Sequence, residues 1–131
     1  MSTLKVNTIQ NTSGGSSSTP EQLEQGRAKM WANIKTTGTM SIRDSFNVSS
    51  ITDVGSDVAR LDLTTAFANT NYCVVCGAIE DDHSNTSRSP RAGNATRKRF
   101  ETGRVFVSAC QFGNSNSIEV DQLLVVCFGD M

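Results

Sequence analysis

Short segments of the chain alternate apolar and polar residues with the period of two that is typical of β-strands. Alternation covers 29–35, 58–63 and 104–112, with small or aliphatic residues at every second position. Residues 72–79 differ, because they are almost continuously apolar. A continuous run of this length predicts a buried strand that lies centrally in a sheet.

Stretches rich in Gly, Asn, Ser and Asp separate these segments and predict turns at 36–38, 53–57 and 113–117. The pattern amounts to seven or eight short strands at spacings of about 8–15 residues. It predicts an all-β fold, an antiparallel and jelly-roll-like β-sandwich.

One short helix interrupts the strand pattern near the N-terminus. Thr19 is a suitable N-cap, Pro20 suits the first helical position, and Gln22 completes a capping box. Gly26 ends the favourable stretch, so we expect about two helical turns at most.

The residues before this helix predict an extended arm. Residues 11–19 are a Gly- and Ser-rich linker that cannot form a core, and residues 2–12 alternate like a short strand. Such an arm can add a strand to a neighbour's sheet, so we expect residues 2–19 to lie against another chain. The domain prediction is an arm over 1–19 and a head of short helix plus β-sandwich over 20–131. The candidate assembly residues of the arm are Leu4, Val6 and Ile9.

Composition limits the classes of function. The chain has 131 residues, a net charge of −1 and 37% hydrophobic residues, which suits one domain and disfavours binding of nucleic acid through the whole fold. No apolar run approaches the roughly 18 residues of a membrane span, so we expect no membrane insertion. The N-terminal residues also lack the apolar core of a secretory signal. A single His and no Gly-x-Ser-x-Gly turn disfavour an enzyme.

The four cysteines are interpreted as structural. Cys73 and Cys76 have the spacing of a zinc knuckle, but residues three apart on a strand point to opposite faces. Cys110 and Cys127 are single, so no second pair is present. We therefore expect no metal site and no cofactor.

Residues 80–103 lack large aliphatic side chains and predict a long exposed loop. Between residues 88 and 104, Glu101 is the only acidic residue. The same segment holds six basic residues: Arg88, Arg91, Arg97, Lys98, Arg99 and Arg104. Arginine binds carboxylates and phosphates through two hydrogen bonds, so these six are candidate contacts with a host glycan, lipopolysaccharide or an acidic virion surface. The alternative is a solvated loop whose charge maintains solubility.

Two further features have open interpretations. Asp81, Asp82 and His83 offer cation ligands, but their spacing is not that of a calcium loop, and a surface turn is the alternative. Trp31 suits either a sugar-stacking platform or a packing residue at a core edge or subunit interface.

Five separated segments resemble one family of tailed-bacteriophage virion proteins, mostly called tail fibre proteins and common in cyanophages and other marine phages. The family pattern is R-A-K-A-W, then I-R-D-S-F-N-V-S-S-I-T-D, T-T-A, N-Y-x-V and F-G-D. The matching segments are Arg27–Trp31, Ile42–Asp53, Thr64–Ala66, Asn71–Val74 and Val126–Asp130. The chain departs from the pattern at Met30, where the family usually has Ala.

The resemblance implies a virion structural protein that is a homotrimer, with a β-sandwich head and an extended N-terminal arm. We therefore expect a non-enzymatic protein of the tail fibre or receptor-binding type, located in the virion. Its expected partners are other virion proteins of the tail, baseplate or capsid, and a host surface glycan or lipopolysaccharide. The alternative is a capsid decoration protein that stabilises the head.

Overall fold

Antiparallel strands are the main regular elements of the described residues, with one short helix near the N-terminus. The computed structural model describes residues 2–55, 58–79, 88–92, 100–111 and 117–131. The elements are β1 (Ile9–Gln10), β2 (Ser17–Ser18), α1 (Pro20–Gly26), β3 (Met30–Lys35), β4 (Ser41–Phe46), β5 (Val48–Asp53), β6 (Val58–Leu63), β7 (Cys73–Ile79), β8 (Arg88–Ala92), β9 (Arg104–Gln111), β10 (Ser117–Ile118) and β11 (Gln122–Phe128).

Two antiparallel sheets form the body of the fold. In the first sheet the strand order is β4-β3-β11-β7. In the second, β5, β6 and β9 are neighbours, and β8 and β10 pair with opposite edges of β9. A separate pair, β1 and β2, lies in the N-terminal arm. This arrangement confirms the predicted all-β class and the antiparallel β-sandwich.

The core lies between the two sheets and consists of every second side chain of the inner strands. Burial follows the alternation seen in the sequence, because successive strand residues point to opposite faces. The buried apolar residues of the first sheet are Met30, Ala32, Ile34, Leu123, Val125 and Cys127. Those of the second sheet are Ala59, Leu61, Val105, Val107 and Ala109. Val58 and Cys110 are also buried, but alternation places them on the opposite side of that sheet.

The chain passes from the first sheet to the second at a single residue. Asn47 separates β4 from β5 and has a φ of 60°, which asparagine adopts more readily than most residues. Its Nδ2 donates to the carbonyl oxygens of Lys29 (3.1 Å) and Thr65 (3.0 Å), and its Oδ1 accepts from the Thr65 amide (2.8 Å). The side chain therefore ties together the beginning of β3, the corner itself and the segment after β6.

The short helix begins as the sequence predicts. The Thr19 hydroxyl accepts from the Gln22 amide at 3.2 Å, and the Gln22 side chain accepts from the Thr19 amide at 2.9 Å. The predicted capping box and the two-turn length are therefore confirmed.

Three local predictions are wrong. The run 72–79 is not central, since β7 lies at the edge of the first sheet. Residues 80–103 are not one long loop, because β8 forms within them and pairs with β9. In the arm, residues 2–8 have no regular structure, and the strand is limited to Ile9–Gln10. Periodicity reports the faces of a strand but not its neighbours, which is why these errors arise.

We expect Asn47→Ala to lower the free energy of unfolding by about 3 kcal/mol, because three hydrogen bonds are lost and alanine is strained at a positive φ. Asn47→Gly loses the same hydrogen bonds without that strain, so its loss should be smaller. Urea unfolding of the three proteins measures both differences. Equal stability of Asn47→Ala and the wild type would contradict this account of the corner.

Candidate functional site

The predicted assembly residues of the arm lie outside the core and against the short helix. Leu4, Val6 and Ile9 line an open hollow of about 520 Å³ together with Leu23 of α1. The three arm residues and Leu23 are exposed, and Leu4 is 85% exposed. Apolar side chains grouped in this way are suited to contact with another protein surface.

Sequence reasoning missed the contribution of the helix to this surface. None of the residues of α1 is buried, so the helix does not pack an apolar face on the sandwich. Leu23 is the large aliphatic side chain of the helix, and it lies in the hollow with the arm. The sequence does contain a signal for this contribution. The helix has a capping box but no apolar stripe that could pack on the sandwich, so a lone leucine within it is available for another contact.

An ion pair connects the helix to the body of the fold. Lys29 is only 3% exposed, although alternation with Met30 predicts an outward position, and its Nζ donates to the carboxylate of Glu24. Arg27 contacts the same carboxylate at 2.9 Å. The hydrogen bond from Lys29 is the main cause that lowers the pKa of Glu24 below its usual value of 4.5. The contact holds α1, and with it the arm, close to the start of β3.

The basic segment is described only in part. Arg88 and Arg91 lie on β8, in register with Gln111 and Ser108 of β9. Arg97, Lys98 and Arg99 lie outside the described residues. The proposed cation ligands Asp81, Asp82 and His83 also lie outside them. The grouping of the six basic residues therefore stays a prediction from the sequence.

Arg104 differs from a free contact residue, because its guanidinium is engaged within the chain. Its Nε donates to Asp62 Oδ1 at 3.0 Å, and its Nη1 lies 3.5 Å from Glu101 Oε2. Asp62 also accepts from Arg60 Nε at 3.1 Å and from the Ser50 hydroxyl at 3.2 Å. These contacts cross three strands of the second sheet, so Arg104 has a structural role there even though it is exposed.

The cysteines have the orientation that the sequence predicts. Cys73 is exposed and Cys76 is half-buried, as expected for residues on opposite faces of β7. Burial raises the pKa of the Cys76 thiol to about 11 and that of Cys127 to about 12. Within the described ranges, no three His, Cys, Asp or Glu side chains lie together in a way that could hold a metal ion.

The segments that carry the phage resemblance meet at one end of the sandwich. Asn47 contacts Lys29 and Thr65, as described above, and the Lys29 amide donates to the carbonyl of Cys127 at 2.9 Å. Nearby, the Tyr72 hydroxyl lies 3.1 Å from the carbonyl oxygens of both Glu101 and Arg104. These residues therefore connect strands of the fold.

The F-G-D segment packs closely at this same end. A Cβ placed on Gly129 would lie 2.7 Å from Cβ of Tyr72, so only glycine fits without displacement. The Tyr72 ring stacks on Phe67 with centroids 4.2 Å apart. Burial raises the pKa of Tyr72 to about 12, which keeps its hydroxyl protonated as a hydrogen-bond donor. The glycine of the F-G-D segment is therefore explained by close packing against Tyr72.

Comparison of the chain with protein-family models, curated proteins and solved structures finds no match. Among the residues that the structure describes, no helix has the length and apolar character needed to cross a membrane.

We expect the contact between Glu24 and Lys29 to stabilise the protein in a pH-dependent way. A carboxyl with a lowered folded-state pKa contributes stability above its unfolded value, and the contribution is lost as pH falls through the folded-state pKa. Wild type should therefore have a higher Tm than Glu24→Gln at neutral pH, and the difference should disappear at pH values well below 4.5.

Thermal unfolding across this pH range measures the effect. The matched control introduces Glu24→Gln into a Lys29→Met background, where the difference should shrink because the buried ammonium is gone. A difference in Tm that does not change with pH would exclude the ion pair as its source.

Proposed function

We propose that the chain is a phage virion structural protein of the tail fibre or receptor-binding type, and that it acts as a homotrimer. The arm and helix α1 attach it to the particle, and the β-sandwich presents its loops to the host surface. The phage assignment rests on the resemblance of the five motif segments to tail fibre proteins.

The observation that carries the proposal is the position of the arm. Its apolar residues Leu4, Val6 and Ile9 are exposed beside Leu23 and do not contribute to the core. Burying such side chains stabilises association by roughly 1.5–3 kcal/mol for each large residue. An arm that is dispensable for the core and apolar on its surface supports attachment to another protein.

The basic segment supports a role in contact with an anionic surface. Five of its six basic residues, all except the engaged Arg104, precede β9 in a chain whose net charge is −1. Segments that connect the strands of a rigid sandwich commonly carry recognition. Glycan carboxylates and lipopolysaccharide phosphates are the groups that arginine binds best.

The location and copy number of the protein in purified particles test the proposal. Cryo-electron microscopy with quantitative gel densitometry should find it at the tail or baseplate, in low copy number. Density over the capsid lattice in high copy number would instead identify a capsid decoration protein, which could use the same arm. Absence from the particle would overturn the virion assignment altogether.

We expect the double variant Leu4→Ser and Ile9→Ser to lose affinity for the particle by about a hundredfold, because two apolar contacts are removed. The matched control changes two arm residues that do not line the hollow, Thr3→Ser and Thr8→Ser, and should associate normally. Incorporation into particles produced in a host that supplies each variant measures the difference. Equal incorporation of both variants would show that the arm is not the point of attachment.

A further inference from the structure

A row of apolar side chains crosses the outer face of the first sheet. Cross-strand register places Phe46 of β4 opposite Trp31 of β3, Trp31 opposite Val126 of β11, and Val126 opposite Val75 of β7. All four point away from the core. Trp31 is 36% exposed, Phe46 53% and Val75 54%.

The neighbouring outward positions extend this apolar row into a patch. The outward residues of β11 are Gln122, Leu124, Val126 and Phe128, and those of β7 are Cys73, Val75, Gly77 and Ile79. None of them carries a charge. The outer face of the first sheet, formed by these positions with Trp31 and Phe46, is hereafter called the apolar face.

The outer face of the second sheet carries charged residues. Arg60, Asp62 and Arg104 point outward there and form the hydrogen-bonded network with Ser50 and Thr52. Val58, Ser108 and Cys110 alternate onto the same side and are buried, so that face is covered in part. The two outer faces therefore differ in charge, because β7 and β11 of the first sheet carry no charged residue.

We propose that the apolar face is the surface through which three copies of this chain associate around a three-fold axis, so that its occupants are the same faces of the other two copies. The inference rests on the homotrimer of the proposed function and names the sheet that holds it together. Strands with continuous apolar sequence, such as β7 and β11, are typical of sheets that are buried on both faces. The single chain buries only one face of each strand.

The size of the apolar face fits this assembly. Its exposed apolar area is on the order of 400 Å², if a large side chain carries about 200 Å². A standard interface buries about 800 Å² on each partner, of which somewhat more than half is apolar. The patch therefore matches the apolar centre of one such interface, and its aromatic centre is typical of such contacts.

The charge of the apolar face also favours other copies of the chain. The charged residues of the strands in this sheet lie on β3 and β4, namely Lys35, Arg43 and Asp44, and none lies on β7 or β11. Two copies can therefore meet through β7 and β11 without opposing like charges. A partner recognised by charge would need complementary groups that this part of the face lacks.

Sedimentation of the full chain over a wide concentration range tests the proposal. Wild type should assemble, and Val75→Glu should raise the dissociation constant of the assembly by about tenfold or more, because a charge is placed on the apolar face. The matched control is Val54→Glu, since Val54 is 38% exposed in the turn after β5 and lies outside the face. This control should assemble like the wild type.

The thiol of Cys73 gives a second readout that needs no substitution. Cys73 is the exposed cysteine and lies on the apolar face opposite Phe128, whereas Cys110 and Cys127 are buried. Its labelling by a maleimide should be rapid at concentrations where the chain is monomeric. Labelling should become several-fold slower as the assembly forms. Loss of this protection in Val75→Glu would place the contact on the same face.

Two outcomes would overturn the proposal. One is assembly of Val75→Glu equal to that of wild type, and the other is a wild-type chain that stays monomeric at all concentrations. In the second case, failure of Val75→Glu but not of Val54→Glu to enter particles would assign the face to a different virion protein. Sedimentation and labelling do not depend on where the protein lies in the particle, so failure of the proposed virion role is recognised separately.

Discussion

The side chain of Asn47 is the constraint on which the sandwich depends. A single residue separates the last position of β4, in one sheet, from the first position of β5, in the other. A corner this short requires a positive φ, and the carboxamide of Asn47 both tolerates that backbone and satisfies polar groups of Lys29 and Thr65. The relative placement of the two sheets is thereby fixed at one end, close to the β3 strand and the loop after β6.

Much of the fold follows from the sequence because it depends on local physics. Alternation identifies the buried residues of β3 and the opposite orientations of Cys73 and Cys76. The Thr19 capping box needs only residues three apart, so it too could be predicted. The resemblance segments could be located as well, and the structure adds that they connect strands at one end of the sandwich. What they imply about virions stays a prediction.

The parts that could not be predicted depend on distant residues. Lys29 belongs by its alternation to the outer face, and its burial requires the carboxylate of Glu24 from another element. The edge position of β7 follows from its pairing with β11 in the described sheet. The local sequence of β7 does not indicate which strand it pairs with. The same limit applies to the arm surface, where Leu23 becomes relevant because it lines the same hollow as Leu4, Val6 and Ile9 of the arm.

The central position of β11 has a consequence for the way the chain folds. In the first sheet β11 lies between β3 and β7, and Asn33 of β3 bonds to Gln122 across a separation of 89 residues. Closing a loop of that length loses chain entropy before any contact compensates for it, and folds dominated by such pairings form in milliseconds to seconds. During synthesis, β3 and β7 emerge long before the strand that joins them. Until β11 arrives, their unpaired edges are the part of the protein most open to aggregation and to chaperones.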